Sequence, residues 1–158
     1  MNRSSTGVSV GSLVARLATA GVLLLAGYTK LQGGPTAFAL AIESFELVPG
    51  RLLLPVAYFL PWFEIVIAAA LILGVWARES AALATAMLAA FTLGLASVLV
   101  RGLDVDCGCF GGLFGESKVS WASIARNTVF IAIAAVPVWL GGGRFALTRE
   151  SDSSPGAA

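Results

Sequence analysis

Histidine is absent from this chain, and cysteine occurs only twice. Without imidazole there is no histidine general base, no imidazole-activated serine or cysteine nucleophile, no haem ligation through histidine and little basis for catalytic zinc. Charge is scarce too: 12% of the 158 residues are Asp, Glu, Lys or Arg, and the formal net charge is +1. The basic residues stand singly, with no run that would track phosphates, which argues against a nucleic-acid partner. In place of charge the chain is 58% hydrophobic with almost no polar linker, the composition of a membrane protein rather than a soluble globule. Any chemistry rests on Cys, Asp, Glu, Lys, Arg or Tyr.

The pattern of apolar runs predicts an all-α membrane protein with four spans. Residues 1–10 read as a polar tail, 11–141 as a four-helix membrane domain and 142–158 as a flexible tail of Ser, Gly, Asp and Pro. Gly11 to Leu31 is the first span, about 20 residues and long enough to cross ~30 Å of hydrocarbon. A basic start before an apolar core also fits a secretory signal. No small-x-small cleavage site follows, so a retained span is expected. Gly33, Gly34 and Pro35 then break the helix. Phe38, Ile42 and Phe45 recur at helical spacing beside Glu43 and Glu46, the pattern of a short amphipathic helix lying in the membrane interface.

Leu52 to Val75 is the second span, where Pro55 and Pro61 predict a kink or a late helix start. Arg78 and Glu79 form the predicted turn into the third span, Ser80 to Val100, and the fourth runs from Trp121 to Leu140. Trp62, Trp76, Trp121 and Trp139 all fall near predicted helix ends, as expected for indole rings at the lipid boundary. Dense small residues in the first and third spans, such as Gly21, Gly27, Ala89 and Gly94, permit close packing into a bundle.

Both cysteines lie in the polar stretch between spans three and four, Asp104-Val105-Asp106-Cys107-Gly108-Cys109-Phe110-Gly111. A disulfide across a single glycine closes a small ring, so it is expected to be strained and readily reduced, the behaviour of a working dithiol. Four spans place this loop on the same side as the Gln32 to Gly50 connection. Outside the bundle, Arg3, Arg78, Arg144 and Arg149 face Arg51, Arg101 and Lys118, a balance that favours cytoplasmic termini in the plasma membrane. A disulfide-capable pair is useful where oxidation persists, which also favours an extracytoplasmic cysteine loop.

Lys30, Glu64 and Arg126 occupy apolar surroundings, where an unpaired charge is costly, so they are expected to face the bundle interior and one another just below the cysteine loop. Two roles fit them. They form an ion pair that fixes helix register; or Lys30 or Arg126 stabilises a thiolate or a quinone oxygen while Glu64 exchanges a proton. Asp104 and Asp106 beside Cys107 disfavour its thiolate, and a positively charged partner surface would offset them. Two thiolates are too few for a closed zinc site, although a linear pair also suits copper(I).

Gly27-Tyr28-Thr29-Lys30-Leu31, Leu60-Pro61-Trp62-Phe63-Glu64 and Asp106-Cys107-Gly108-Cys109-Phe110-Gly111 together resemble the MauE/DoxX redox-associated membrane proteins over residues 11–140. The resemblance implies a four-helix membrane protein, and its methylamine-utilisation members are linked to maturation of a disulfide-rich periplasmic subunit of methylamine dehydrogenase. The fold also resembles vitamin K epoxide reductase-type enzymes, which couple dithiols to quinones. Those enzymes carry two cysteine pairs, whereas this chain has one, so Cys107 and Cys109 must meet the partner directly or depend on another subunit. The expected partner is a thioredoxin-like or secreted disulfide-bearing protein, and the expected electron acceptor a quinone. Copper(I) handling, or an assembly subunit without chemistry of its own, are the alternatives.

Overall fold

The computed structural model describes residues 3–103, 105 and 119–140. Cys107, Cys109, Asp104, Asp106 and the tail at 142–158 lie outside the described residues. Four helices follow one another: α1 (Arg3–Ser44), α2 (Gly50–Leu73), α3 (Ala77–Val100) and α4 (Trp121–Leu140). Each contains a stretch long and apolar enough to cross a membrane, and the described residues contain no strand. The protein is a multi-pass membrane protein built as an all-α four-helix bundle.

α1 is two helices joined end to end. Gly34 sits at φ 79° and ψ 157°, a backbone conformation that a side chain disfavours, and Pro35 follows with no N–H to continue the ladder. The chain therefore breaks at the predicted glycines and resumes as the short helix 35–44. At the other end, α1 begins at Arg3, inside the stretch expected as a polar tail, because residues 3–10 contain no proline to stop it.

α2 departs from expectation in an informative way. It starts at Gly50 and carries both Pro55 and Pro61 in its interior, so there is no late start. Proline is tolerated within membrane helices because neighbouring groups take up the backbone carbonyls it leaves free. One consequence is that Trp62, 58% exposed, lies near the middle of α2 rather than at an end. Trp76, Trp121 and Trp139 do mark helix termini. The turn between α2 and α3 also shifts: Gly74 ends α2 and Trp76 precedes α3, while Arg78 and Glu79 belong to the first turn of α3. Glu79 there faces the positive end of the helix dipole.

Packing is uneven. α1 lies along α2, α3 along α4, and α1 also touches α3 and α4, but α2 and α4 do not pack on each other. The main core is made of small side chains from all four helices, including Ala20, Ala68, Ala81, Ala84 and Ala134 around Leu23 and Leu71. Small residues bring backbones close where lipid removes the hydrophobic drive between helices. A second core joins the short helix 35–44 to the first half of α2 through Phe38, Ala39, Leu53 and Ala57. The outward faces carry large apolar residues such as Leu93, Val100 and Trp139, the reverse of a soluble surface.

Candidate functional site

The site builds on a close approach between α1 and α2. Gly27 of α1 faces the turn of α2 around Pro61: a β-carbon there would stand 3.0 Å from the Pro61 carbonyl oxygen and 3.1 Å from Ile65 Cγ1. Any side chain there would force its neighbours to give by a few tenths of an ångström. The approach brings Lys30, nearly one turn further along α1, against Glu64 of α2, and the Lys30 Nζ donates to Glu64 Oε1. Both side chains are 1% exposed. Two aromatic rings complete the surroundings of the ammonium, Phe91 with its centroid 4.7 Å from Nζ and Phe38 at 5.3 Å. These are cation–π distances, and desolvation strengthens the attraction. Glu64 Oε2 has no hydrogen-bond partner among the described residues.

The structure thus brings together two of the three expected interior charges. Arg126, expected as the third member, stands half-buried on α4, a helix that does not pack on α2. Depth is a second correction. Because α2 starts at Gly50 and not after Pro61, Glu64 lies roughly 20 Å along the helix from its start, at 1.5 Å per residue. The pair therefore lies well inside the bundle, past the midpoint of α2.

The root of that loop is held by a different set of contacts. Arg101, directly after α3, donates from Nη1 to the Phe45 carbonyl at 2.9 Å and pairs through Nη2 with Glu46. Val119 N–H donates to the Val105 carbonyl at 3.0 Å, so the chain before and after residues 106–118 is drawn together at the same end of the bundle. Cys107 and Cys109 lie within that interval.

Between the loop root and the ion pair lies an apolar cavity of about 170 Å³. Its lining includes Phe45, Leu47 and Val48 of the connection, Val56 and Leu60 of α2, and Ala90, Phe91 and Gly94 of α3. Phe38 also lines it, so two of its walls are the rings that hold the Lys30 ammonium.

The sequence reading named Gly94 only as a small packing residue and did not single out Phe91 or the cavity. Phe91 is the lone aromatic of α3, a signal visible in the sequence, but its partner is set by tertiary packing. It also gave Arg16 no role. Arg16 is fully buried and donates from Nε and Nη2 to the Leu71 carbonyl, at 3.0 and 2.7 Å, near the end of α2 where carbonyls outrun intrahelical donors.

Comparison with known proteins places this arrangement. No solved structure matches the chain. A methylamine utilization protein MauE from Methylorubrum extorquens is 37% identical over 123 residues, covering 75% of this chain and 64% of the relative. MauE from Paracoccus versutus is 36% identical over 124 residues, covering 77% and 62%. MauE from Methylophilus methylotrophus is 29% identical over 136 residues, covering 83% and 71%. The chain thus spans less than two thirds of the first two relatives' length. The family model for methylamine utilisation protein MauE matches residues 8–140, nearly all of the bundle, and the chain belongs to the MauE family.

Proposed function

We propose that the protein is an integral membrane thiol–disulfide redox protein that supports disulfide formation in secreted proteins. Cys107 and Cys109, as a disulfide, accept two electrons from a secreted dithiol or a thioredoxin-like partner through a mixed disulfide. The partner leaves oxidised, the pair is left as two thiols, and a membrane quinone takes the electrons and protons to restore it. The loop faces the extracytoplasmic side of the plasma membrane, with the termini in the cytoplasm. Its relatives' names connect this reading to methylamine utilisation, with maturation of methylamine dehydrogenase as the process served.

The observation that carries the reading is the placement of the chain's only two thiols. They are one glycine apart, in a segment whose flanks, Val105 and Val119, are tied together at one end of a four-span bundle. Close spacing in a small ring makes the disulfide readily reducible, as exchange requires. Lys30 and Glu64 support the acceptor end of the path, and Arg126 and Asp106 belong to the loop side.

The test is replacement of each thiol in turn. Cys107→Ser and Cys109→Ser should each abolish disulfide transfer to a reduced substrate, while helical content and detergent stability stay at the parent's values. Full transfer activity in either variant would refute the redox role.

A further inference from the structure

We infer that the cavity between the connection, α2 and α3 holds an acyl chain of a zwitterionic phospholipid, with the headgroup at its mouth, whatever the two thiols do. The lining sets the chemistry of what enters. Phe38, Phe45, Val56, Leu60 and Phe91 are among the walls, and no lining side chain carries a hydrogen-bonding group. A carbonyl, hydroxyl or charge placed inside would lose its hydrogen bonds to water and find no replacement. The occupant is therefore hydrocarbon, and in a multi-pass membrane protein the hydrocarbon at hand is the acyl chain. Size agrees: an apolar cavity of about 150 Å³ accepts a benzene-sized molecule, so one of about 170 Å³ takes a chain segment of roughly six carbons.

The cavity reaches the surface at the connection. Leu47, one of its walls, is 53% exposed. Charges of both signs flank that opening along the chain. Arg101 donates to the carbonyl of Phe45, whose ring lines the cavity, and pairs with Glu46, which stands between the lining residues Phe45 and Leu47. Glu46 holds φ 53°, a left-handed conformation that costs a residue with a side chain energy and that the Arg101 contacts hold in place. Glu43, between the lining residues Ile42 and Phe45, and Arg51, three residues beyond the lining residue Val48, are both exposed. Neither belongs to an ion pair among the described residues. Two cations and two carboxylates match a zwitterionic headgroup, its phosphate toward the guanidinium groups and its ammonium toward the carboxylates. An anionic headgroup on the same chains brings no cation to Glu43 and Glu46.

Occupancy acts on the buried ion pair. Phe38 and Phe91 both line the cavity and flank the Lys30 ammonium, so a chain packed there backs the two rings and holds them against it. An unfilled cavity leaves those walls without partner atoms and weakens the bundle.

The test uses the full chain, delipidated in detergent and then given defined lipids. Dioleoylphosphatidylethanolamine is the zwitterionic probe, and dioleoylphosphatidylglycerol, with identical chains, the anionic one. Native mass spectrometry reads bound lipid, and thermal unfolding reads its effect. Gly94→Leu and Ala90→Leu fill the cavity, while Gly21→Leu lies away from its lining and serves as control. A β-carbon on Gly94 meets only Leu47 and Phe45 at ordinary contact distances, 3.7 and 3.9 Å, so a leucine there extends without striking backbone. The parent and the control should bind phosphatidylethanolamine, unfold at a higher temperature when it is added, and bind phosphatidylglycerol several-fold more weakly. Both cavity-filling variants should bind phosphatidylethanolamine roughly tenfold more weakly and lose the rise in unfolding temperature. A phosphatidylethanolamine with a photoreactive group on its acyl chain should label the parent within residues 38–48 and 90–95, a result that needs no variant to fold. An unchanged lipid response in both cavity-filling variants, or labelling confined to other segments, would overturn the site. Equal binding of the two lipids would overturn the headgroup assignment. An oligomeric parent that both cavity-filling variants convert to monomers would make the cavity a contact between copies and overturn the lipid.

Discussion

Among the described residues, the Lys30–Glu64 and Arg101–Glu46 ion pairs are of the same chemical kind in opposite surroundings. Lys30 and Glu64 meet with both side chains 1% exposed, whereas Arg101 and Glu46 meet at the end of the bundle with 38% and 62% exposure. The buried pair joins α1 to α2 deep in the protein, and breaking it strands a charge where nothing can solvate it. The exposed pair contributes little to stability because water and salt screen it. Its importance is positional, since it ties the root of the cysteine segment to the connection that follows the short helix 35–44. The comparison teaches that like pairs do different work along the bundle axis: the interior pair holds α1 against α2, and the end pair fastens the chain just after α3 to the connection between the short helix 35–44 and α2.

Three substitutions sharpen that contrast, in falling order of effect. Lys30→Met leaves Glu64 buried without its partner and should destabilise the protein by about 3–5 kcal/mol, measured as reversible unfolding in mixed micelles. Lys30→Met combined with Glu64→Met should recover most of that loss, because an apolar pair of similar volume removes both desolvation costs. A double variant no better than the single would break the account of the buried pair.

Gly27→Ala acts on the same pair indirectly. The added methyl would press on the Pro61 carbonyl, which belongs to backbone and does not turn aside, so α1 and α2 must separate locally. We expect a loss of about 1–3 kcal/mol in the same unfolding measurement, typical of overpacking. Gly21→Ala, with open space around it, should change little by comparison.

Arg101→Ala should cost at most about 1 kcal/mol, with a difference that shrinks as salt is added. The rate of Cys107 and Cys109 alkylation should nevertheless change several-fold, since the segment loses its anchor to Phe45 and Glu46. A large stability loss with unaltered thiol reactivity would reverse the roles assigned to the two pairs.

How far the sequence carried depends on whether a feature is local. Four apolar runs of spanning length, and the break at Gly33, Gly34 and Pro35, are legible because length and backbone chemistry act within the segment itself. The coupling of Lys30 to Glu64 was accessible as a rule about buried charge. Its depth was not, because Pro55 and Pro61 read as helix breakers in water and are absorbed within α2 in a membrane bundle. Arg126 was grouped with the pair on the same rule, but whether α4 reaches α2 is a matter of helix order around the bundle, which hydropathy does not encode. Phe38 and Phe91 meet around one ammonium from helices far apart in the chain, and the cavity they line exists only in three dimensions.

The most direct test of the central claim is the redox state of Cys107 and Cys109 in intact cells. A membrane-impermeant maleimide is applied before and after reduction, with and without inhibition of quinone turnover. The account predicts a pair that is reachable from outside, oxidised at rest, and reduced when quinone turnover stops. Thiols that stay free whatever is done to the quinone pool would contradict it.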